Sequence, residues 1–288
     1  MIGKIFSSIV LVCFIVMSFY VALNQDATVD IKPVTVGSDE KSKDVVVLAP
    51  EPTPLEIIKN EKLSFEERLE AMQSFGADML KEESVAVRSI MNHTSENSTL
   101  RNAAANSMVA YQKVSIMPDL LKAYDNEKES ETWQDYSLQF MVSAYDFATQ
   151  AERRQAIEAL VEVSQRQEDS KAGTALLSLQ RLAENHPKLS KVIGEQNLKA
   201  LKSDDAIIKG AAVNVAIRQG DASILPKARE DAQNKGTEIR LRLSSIGAIG
   251  ELGNAEDLTL LETLSQDQDK RVQRVARYQL QQLKRRIQ

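Results

Sequence analysis

An apolar residue followed by another four positions later recurs seven times along this 288-residue chain. The pairs are Phe65/Leu69, Leu100/Ala104, Tyr136/Phe140, Ala172/Leu176, Ile208/Ala212, Ile239/Leu243 and Val272/Ala276. Four positions is one turn along a single face of a helix. The first members follow one another at a nearly constant interval, the last two steps being slightly shorter than the rest. That interval leaves room for a second helix, and amphipathic runs such as IMPDLLKAY, RRQAIEALVEV, KLSKVIGEQNLKAL, ILPKAREDA and LTLLETL fill it. Connections such as Asn185-His186-Pro187, Gly220-Asp221 and Gly253-Asn254 carry helix stop and start signals. Neither helix of such a pair can bury its apolar face alone, so successive hairpins must stack. The sequence therefore predicts an all-α α-solenoid of about six or seven helical hairpins. Composition agrees: with 11 Gly, 7 Pro and 5% aromatics, the chain lacks the turn and strand residues of a sandwich or barrel.

The first residues read differently. Residues 5–23 carry no charge, Gly or Pro. At about 1.5 Å per residue such a run spans the hydrocarbon of a bilayer. Lys4 lies before it and Asp26 and Asp30 after it, so the positive-inside rule leaves residues 1–4 as a cytoplasmic stub and the rest extracytoplasmic, periplasmic in a bacterium. A cleaved signal peptide, followed by secretion, is the alternative; the run is long for one, and Tyr20 to Gln25 offer no small-residue cleavage site. Residues 24–55 carry Pro33, Pro50, Pro52 and Pro54 among polar residues and read as a flexible linker, leaving 56–288 as the repeat domain.

The repeats resemble a known family. Ile239-Arg240, the Gly250-Glu251-Leu252-Gly253 turn, Leu258 to Leu264, Asp267-x-Asp269 and then Val272 and Ala276 are similar to two HEAT repeats of the phycobilin-lyase-like subtype. Asp204-Asp205 before Ile208-Lys209 and Leu100-Arg101 before Ala104 repeat the pattern, and the likeness is closest over 204–286. The resemblance implies a HEAT-like α-solenoid in which Arg101, Lys209 and Arg240 form a ladder with aspartates of neighbouring repeats. A tetratricopeptide array fits the early spacing too, but its Trp/Gly/Tyr signature is absent.

Chemistry is hard to find. The two histidines, His93 and His186, have no His-Glu dyad of the kind HEAT-repeat iron hydroxylases use, and one cysteine, Cys13, builds no thiolate site. No metal or cofactor is expected. A HEAT-like DNA glycosylase would need a basic groove, whereas residues 24–267 carry 28 cations against 40 carboxylates. Nucleic acid is therefore not an expected partner. No nucleophile elbow, phosphate loop or zinc-protease motif occurs. The candidate contacts are Trp133, which clusters with Asp135 and Tyr136 at a helix start, and Arg274, Arg277 and Lys284 on the cationic last helix. That helix reads either as the polar cap of the stack or as a dock for an acidic partner. The expected function is a non-catalytic, membrane-tethered scaffold that holds protein partners in the solenoid groove. The alternative is an enzyme or chromophore-lyase-like factor using that groove as its active site.

Overall fold

The computed structural model describes residues 51–166 and 171–288. The expected membrane span, and the linker up to residue 50, lie outside the described residues, among which no helix is long and apolar enough to cross a membrane. Among those residues there are fourteen α-helices and no strand, an all-helical fold consistent with a helical solenoid.

The helices pair in sequence. The hairpins are α1 (Pro54–Lys59) with α2 (Phe65–Gln73), α3 (Lys81–Met91) with α4 (Ser98–Tyr111), and α5 (Met117–Ala123) with α6 (Glu131–Ala144). Then follow α7 (Gln150–Ser164) with α8 (Lys171–Asn185) and α9 (Ser190–Ala200) with α10 (Ala206–Gln219). Last come α11 (Leu225–Gln233) with α12 (Ile239–Leu252), and α13 (Leu258–Leu264) with α14 (Lys270–Ile287). Each second helix also packs on the next second helix, α2 on α4 and onward without a break to α12 on α14. Contacts along the first-helix row are sparser.

The helical part starts earlier than the linker reading placed it. Thr53 caps α1 through a capping box with Glu56, and Pro54 is its first residue. Proline suits that position because its missing N–H would have no partner there. The same residue therefore reads as a spacer in isolation and as a helix start in context.

The period is set by helix caps. Ser64, Asn97, Ser130, Asp205, Glu238 and Asp269 each cap a second helix by accepting a hydrogen bond from its first-turn backbone N–H groups. The first three are evenly spaced, at the same interval that separates Asp205 from Glu238. Counting from these caps, third positions Leu100, Trp133, Ile208, Leu241 and Val272 are buried, and so are seventh positions Ala71, Ala104, Ser137, Ala212, Ser245 and Ala276. Three expected anchors fall out of this register. Phe65 and Ile239 are first positions and Tyr136 a sixth, and all three are at least partly exposed. Apolar residues flank the true core positions there, so periodicity alone slips by two or three positions.

Burial runs from Ile58 to Leu283 in two apolar clusters that meet within α10, where Ala212 and Val215 belong to one and Val213 and Ala216 to the other. Close approach of the second helices depends on small residues. A Cβ at Gly250 would overlap the side chain of buried Gln279 on α14, including its Cβ, so rotation of Gln279 cannot relieve the contact. Gly250→Ala is expected to lower stability by about 1–2 kcal/mol, overpacking of about 1–3 kcal/mol outweighing a helix-propensity gain of about 1 kcal/mol. Denaturant unfolding against the parent chain measures it.

Candidate functional site

The fourth position after four of the six caps carries the polar chemistry of the interior. In α4 it is Arg101, 1% exposed. Its Nε donates to the Met91 carbonyl at 2.8 Å, its Nη atoms donate to both Glu129 oxygens at 2.6 and 3.0 Å, and its guanidinium lies 4.2 Å from the Trp133 ring centroid. Met91 ends the first helix of the same hairpin, while Glu129 and Trp133 belong to the next one. One side chain thus ties three segments together.

The arrangement recurs. In α2, Arg68 Nε donates to the Ile58 carbonyl at 3.2 Å and Nη2 to Glu96 at 2.5 Å. In α12, Arg242 Nε donates to the Ala232 carbonyl at 2.8 Å and Nη2 to Asp267 at 2.6 Å. In all three the carbonyl stands at the same offset before the arginine, at or near the end of the first helix of its own hairpin. The carboxylate lies in the connection leading into the following second helix. In α6 the position is Gln134, whose Nε2 donates to the Asn126 carbonyl at 2.7 Å and whose Oε1 accepts from Lys171 Nζ at 2.7 Å. Here the cation comes from the next hairpin instead.

The residues expected to form the ladder are distributed differently. Arg101 joins two hairpins as described. Lys209 occupies the fourth position of α10, yet it forms no ion pair among the described residues; ahead of α12 stand Lys235-Gly236-Thr237, and the carboxylate that follows, Glu238, caps that helix. Arg240 is an exposed second position of α12, two positions short of the buried Arg242. Sequence reasoning missed Arg68, Gln134 and Arg242. The signal that finds the two arginines is the cap-to-arginine spacing of four, which Ser64, Asn97 and Glu238 share.

The first-helix row has its own links. Arg229 on α11 donates to both oxygens of buried Asp257 at 2.7 and 3.0 Å, ahead of α13. Arg88 on α3 donates to Asp119 on α5 at 2.8 Å. The hydrogen bonds from Arg229 hold the Asp257 carboxyl below its ordinary range against the opposing effect of burial, and those from Arg242 do the same for Asp267. Two clefts open in this row. One, of about 410 Å³, lies between α1 and α3, with the Arg68–Glu96 pair and His93 in its lining. The other, of about 850 Å³, lies between α11 and α13 over the Arg242–Asp267 pair, with Thr259, Thr263 and Gln268 around it.

Among the described residues the charged ones that are buried as whole residues are Arg101, Asp231, Arg242 and Asp257. Each has an oppositely charged partner within 3.1 Å. Removing one partner of such a pair would leave an uncompensated buried charge.

Trp133 is 1% exposed, packed edge-on to Tyr136 with centroids 6.4 Å apart and beneath the Arg101 guanidinium of the preceding hairpin. Arg274, Arg277 and Lys284 are exposed on α14, as expected; Arg277 Nε donates to the Ser265 carbonyl at 3.3 Å and Lys284 Nζ to Glu262 at 2.9 Å. The structure therefore separates Trp133, inside the stack, from the three cations at its end. A scan of protein-family models gives no match to this chain, and a search of curated proteins gives none either.

Proposed function

We propose that this chain is a non-catalytic adaptor: a HEAT-like α-solenoid, tethered to a membrane by residues 5–23 with its repeats extracytoplasmic, that holds an extended segment of a protein partner along its second-helix row. The observation that carries this reading, Gly247 of α12 and Tyr278 of α14 apart, is the ninth position after a cap. It is Gln73, Asn106, Gln139 and Asn214 in α2, α4, α6 and α10, exposed in the first three and half-exposed in the fourth. A carboxamide both donates and accepts, which matches the alternating N–H and C=O groups of a peptide backbone. Packed helices stand about 8–10 Å apart, close to the reach of a short stretch of extended chain, so successive amides meet successive stretches of one bound segment. The closer packing of the second-helix row also supports the reading, because a stack of hairpins curves towards the row whose members sit closer together. The paired state of the buried charges favours binding over catalysis.

The test uses the full chain as crosslinkable bait in its membrane and the variant carrying Asn106→Ala and Gln139→Ala as control. A partner captured stoichiometrically by the parent and lost from the variant, with both chains melting alike, is the expected result. Capture that ignores the two amides, or no capture at all, overturns the proposal.

A further inference from the structure

Among the described residues, the first and last hairpins differ from those between them in a matched way. The third position of a second helix is buried in α4, α6, α10, α12 and α14, and in α2 it is the exposed Glu67. The tenth position is buried in the same helices, and in α2 it is the exposed Ser74. The eighth is buried in α2, α4, α6, α10 and α12 as Met72, Ala105, Leu138, Val213 and Ile246, and in α14 it is the exposed Arg277. So α2 carries polar residues on the side that elsewhere meets a preceding second helix, and α14 on the side that elsewhere meets a following one.

Interior contacts show which positions meet across such a junction. The ninth position of α10 bonds the sixth of α12, Asn214 to Ser244 at 3.3 Å. The fifth of α10 faces the third and sixth of α12, where a Cβ on Gly210 would meet Ser244 and Leu241. The eighth of α2 receives the tenth of α4, Ser107 donating to the Met72 carbonyl at 3.2 Å. Carried over to α14 followed by α2, this register sets Arg274 against Glu67 and Glu70, the Tyr278 hydroxyl against Glu70, and Arg277 against Ser74. Cation faces carboxylate, and Tyr278, 57% exposed, gains cover. The wider charges agree. Residues 270–288 hold seven cations and no acidic side chain, and residues 51–83 hold nine carboxylates against four cations.

We propose that the protein associates head to tail with second copies of itself, the α2 face of one chain stacking on the α14 face of another so that the hairpin array continues across the junction. The occupant is a second copy because the complementarity is positional: it holds in the register that joins the interior hairpins. Such a contact is heterologous, so each chain keeps one free face of each kind and the assembly extends or closes into a ring. The proposal is independent of the adaptor reading, since the amides at Asn106 and Gln139 lie away from both end faces.

Sedimentation of the full chain in non-ionic detergent tests it. At about 0.1 M salt the parent chain forms species larger than the monomer, and these disperse at about 1 M, where charges are screened within about 3 Å. Arg274→Glu with Arg277→Glu, and separately Glu66→Arg with Glu70→Arg, each leave monomers at low salt while melting like the parent. Glu67 stays in place because it closes the capping box of α2, and Glu66 stands one turn before Glu70 in its stead. Mixing the two variants restores the larger species, because the reversed faces complement each other. A parent chain that stays monomeric at both salts, a variant that still associates, or a mixture that fails to recover overturns the proposal. The first of these outcomes would direct attention to the chain's own residues 24–50, or to an anionic surface, as what covers these faces.

Discussion

Aspartate in place of Ala212 should lower the melting temperature by about 10–20 °C and broaden the transition. Ala212 is the seventh position of α10, fully buried, on a helix that packs against α8, α9 and α12. A carboxylate there would sit at a position with no exposed surface, and burying such a charge belongs to the mutations that cost about 4–5 kcal/mol or more. For a chain of this size each kcal/mol moves the midpoint by about 2–4 °C. Location in the array matters as much as burial, because stability in a stack is a sum of hairpin terms and nearest-neighbour terms. Ala276 is the equivalent residue of α14, also fully buried, but its helix packs mainly on α12 and α13 among the described residues, fewer elements than surround α10. Ala276→Asp should therefore melt the last hairpin first and leave most of the helical signal, whereas Ala212→Asp divides the array in the middle. Ala110→Asp, on an exposed position of α4, should change stability by no more than about 0.5 kcal/mol. Circular dichroism melts of the three variants read all of this at once, and equal melts for Ala212→Asp and Ala110→Asp would refute the register.

Arg101→Met is the second large effect, expected at about 3–5 kcal/mol. Methionine retains much of the stem's volume but leaves Glu129, whose side chain is 6% exposed, without a cation, and the Met91 carbonyl without its donor. The loss measures mainly the uncompensated charge left behind, so Arg101→Met combined with Glu129→Leu should recover most of it. The equivalent Arg68→Met should be milder, because Arg68 and Glu96 keep 11% and 13% of their side-chain surface in water. If the double variant is no more stable than Arg101→Met alone, the pair does not act as a unit.

Much of this is readable from residue order. Helix after helix, five of the intervening segments and the recurrence itself follow from apolar spacing, because a helix repeats every 3.6 residues whatever surrounds it. What spacing does not settle is phase. Ile239 and Leu241 are both apolar and both near a helix start, and only the cap at Glu238 shows that Leu241 points inward and Ile239 does not. The ladder shifts with the phase: the family pattern aligns Arg240 with Arg101, and two positions further on Arg242 makes the corresponding bonds. The burial of Trp133 is hidden for a related reason. Its neighbours Glu131, Thr132 and Asp135 are polar, and nothing local announces that the Arg101 guanidinium, one hairpin earlier, covers its ring.

Residue order by itself determined the helical hairpin, its period, and the concentration of cations in the last helix, because each depends on local periodicity and charge. Tertiary structure decided which face of each helix is core, which arginines join hairpins, and that the charges under a tenth exposed are all paired. Those are relations between segments of different hairpins, set by how one hairpin seats on the next. A polar side chain gives no sign along the chain of whether it will meet water or a carboxylate. Packing supplies that answer, since a guanidinium can be buried only where a carboxylate and a carbonyl converge on it.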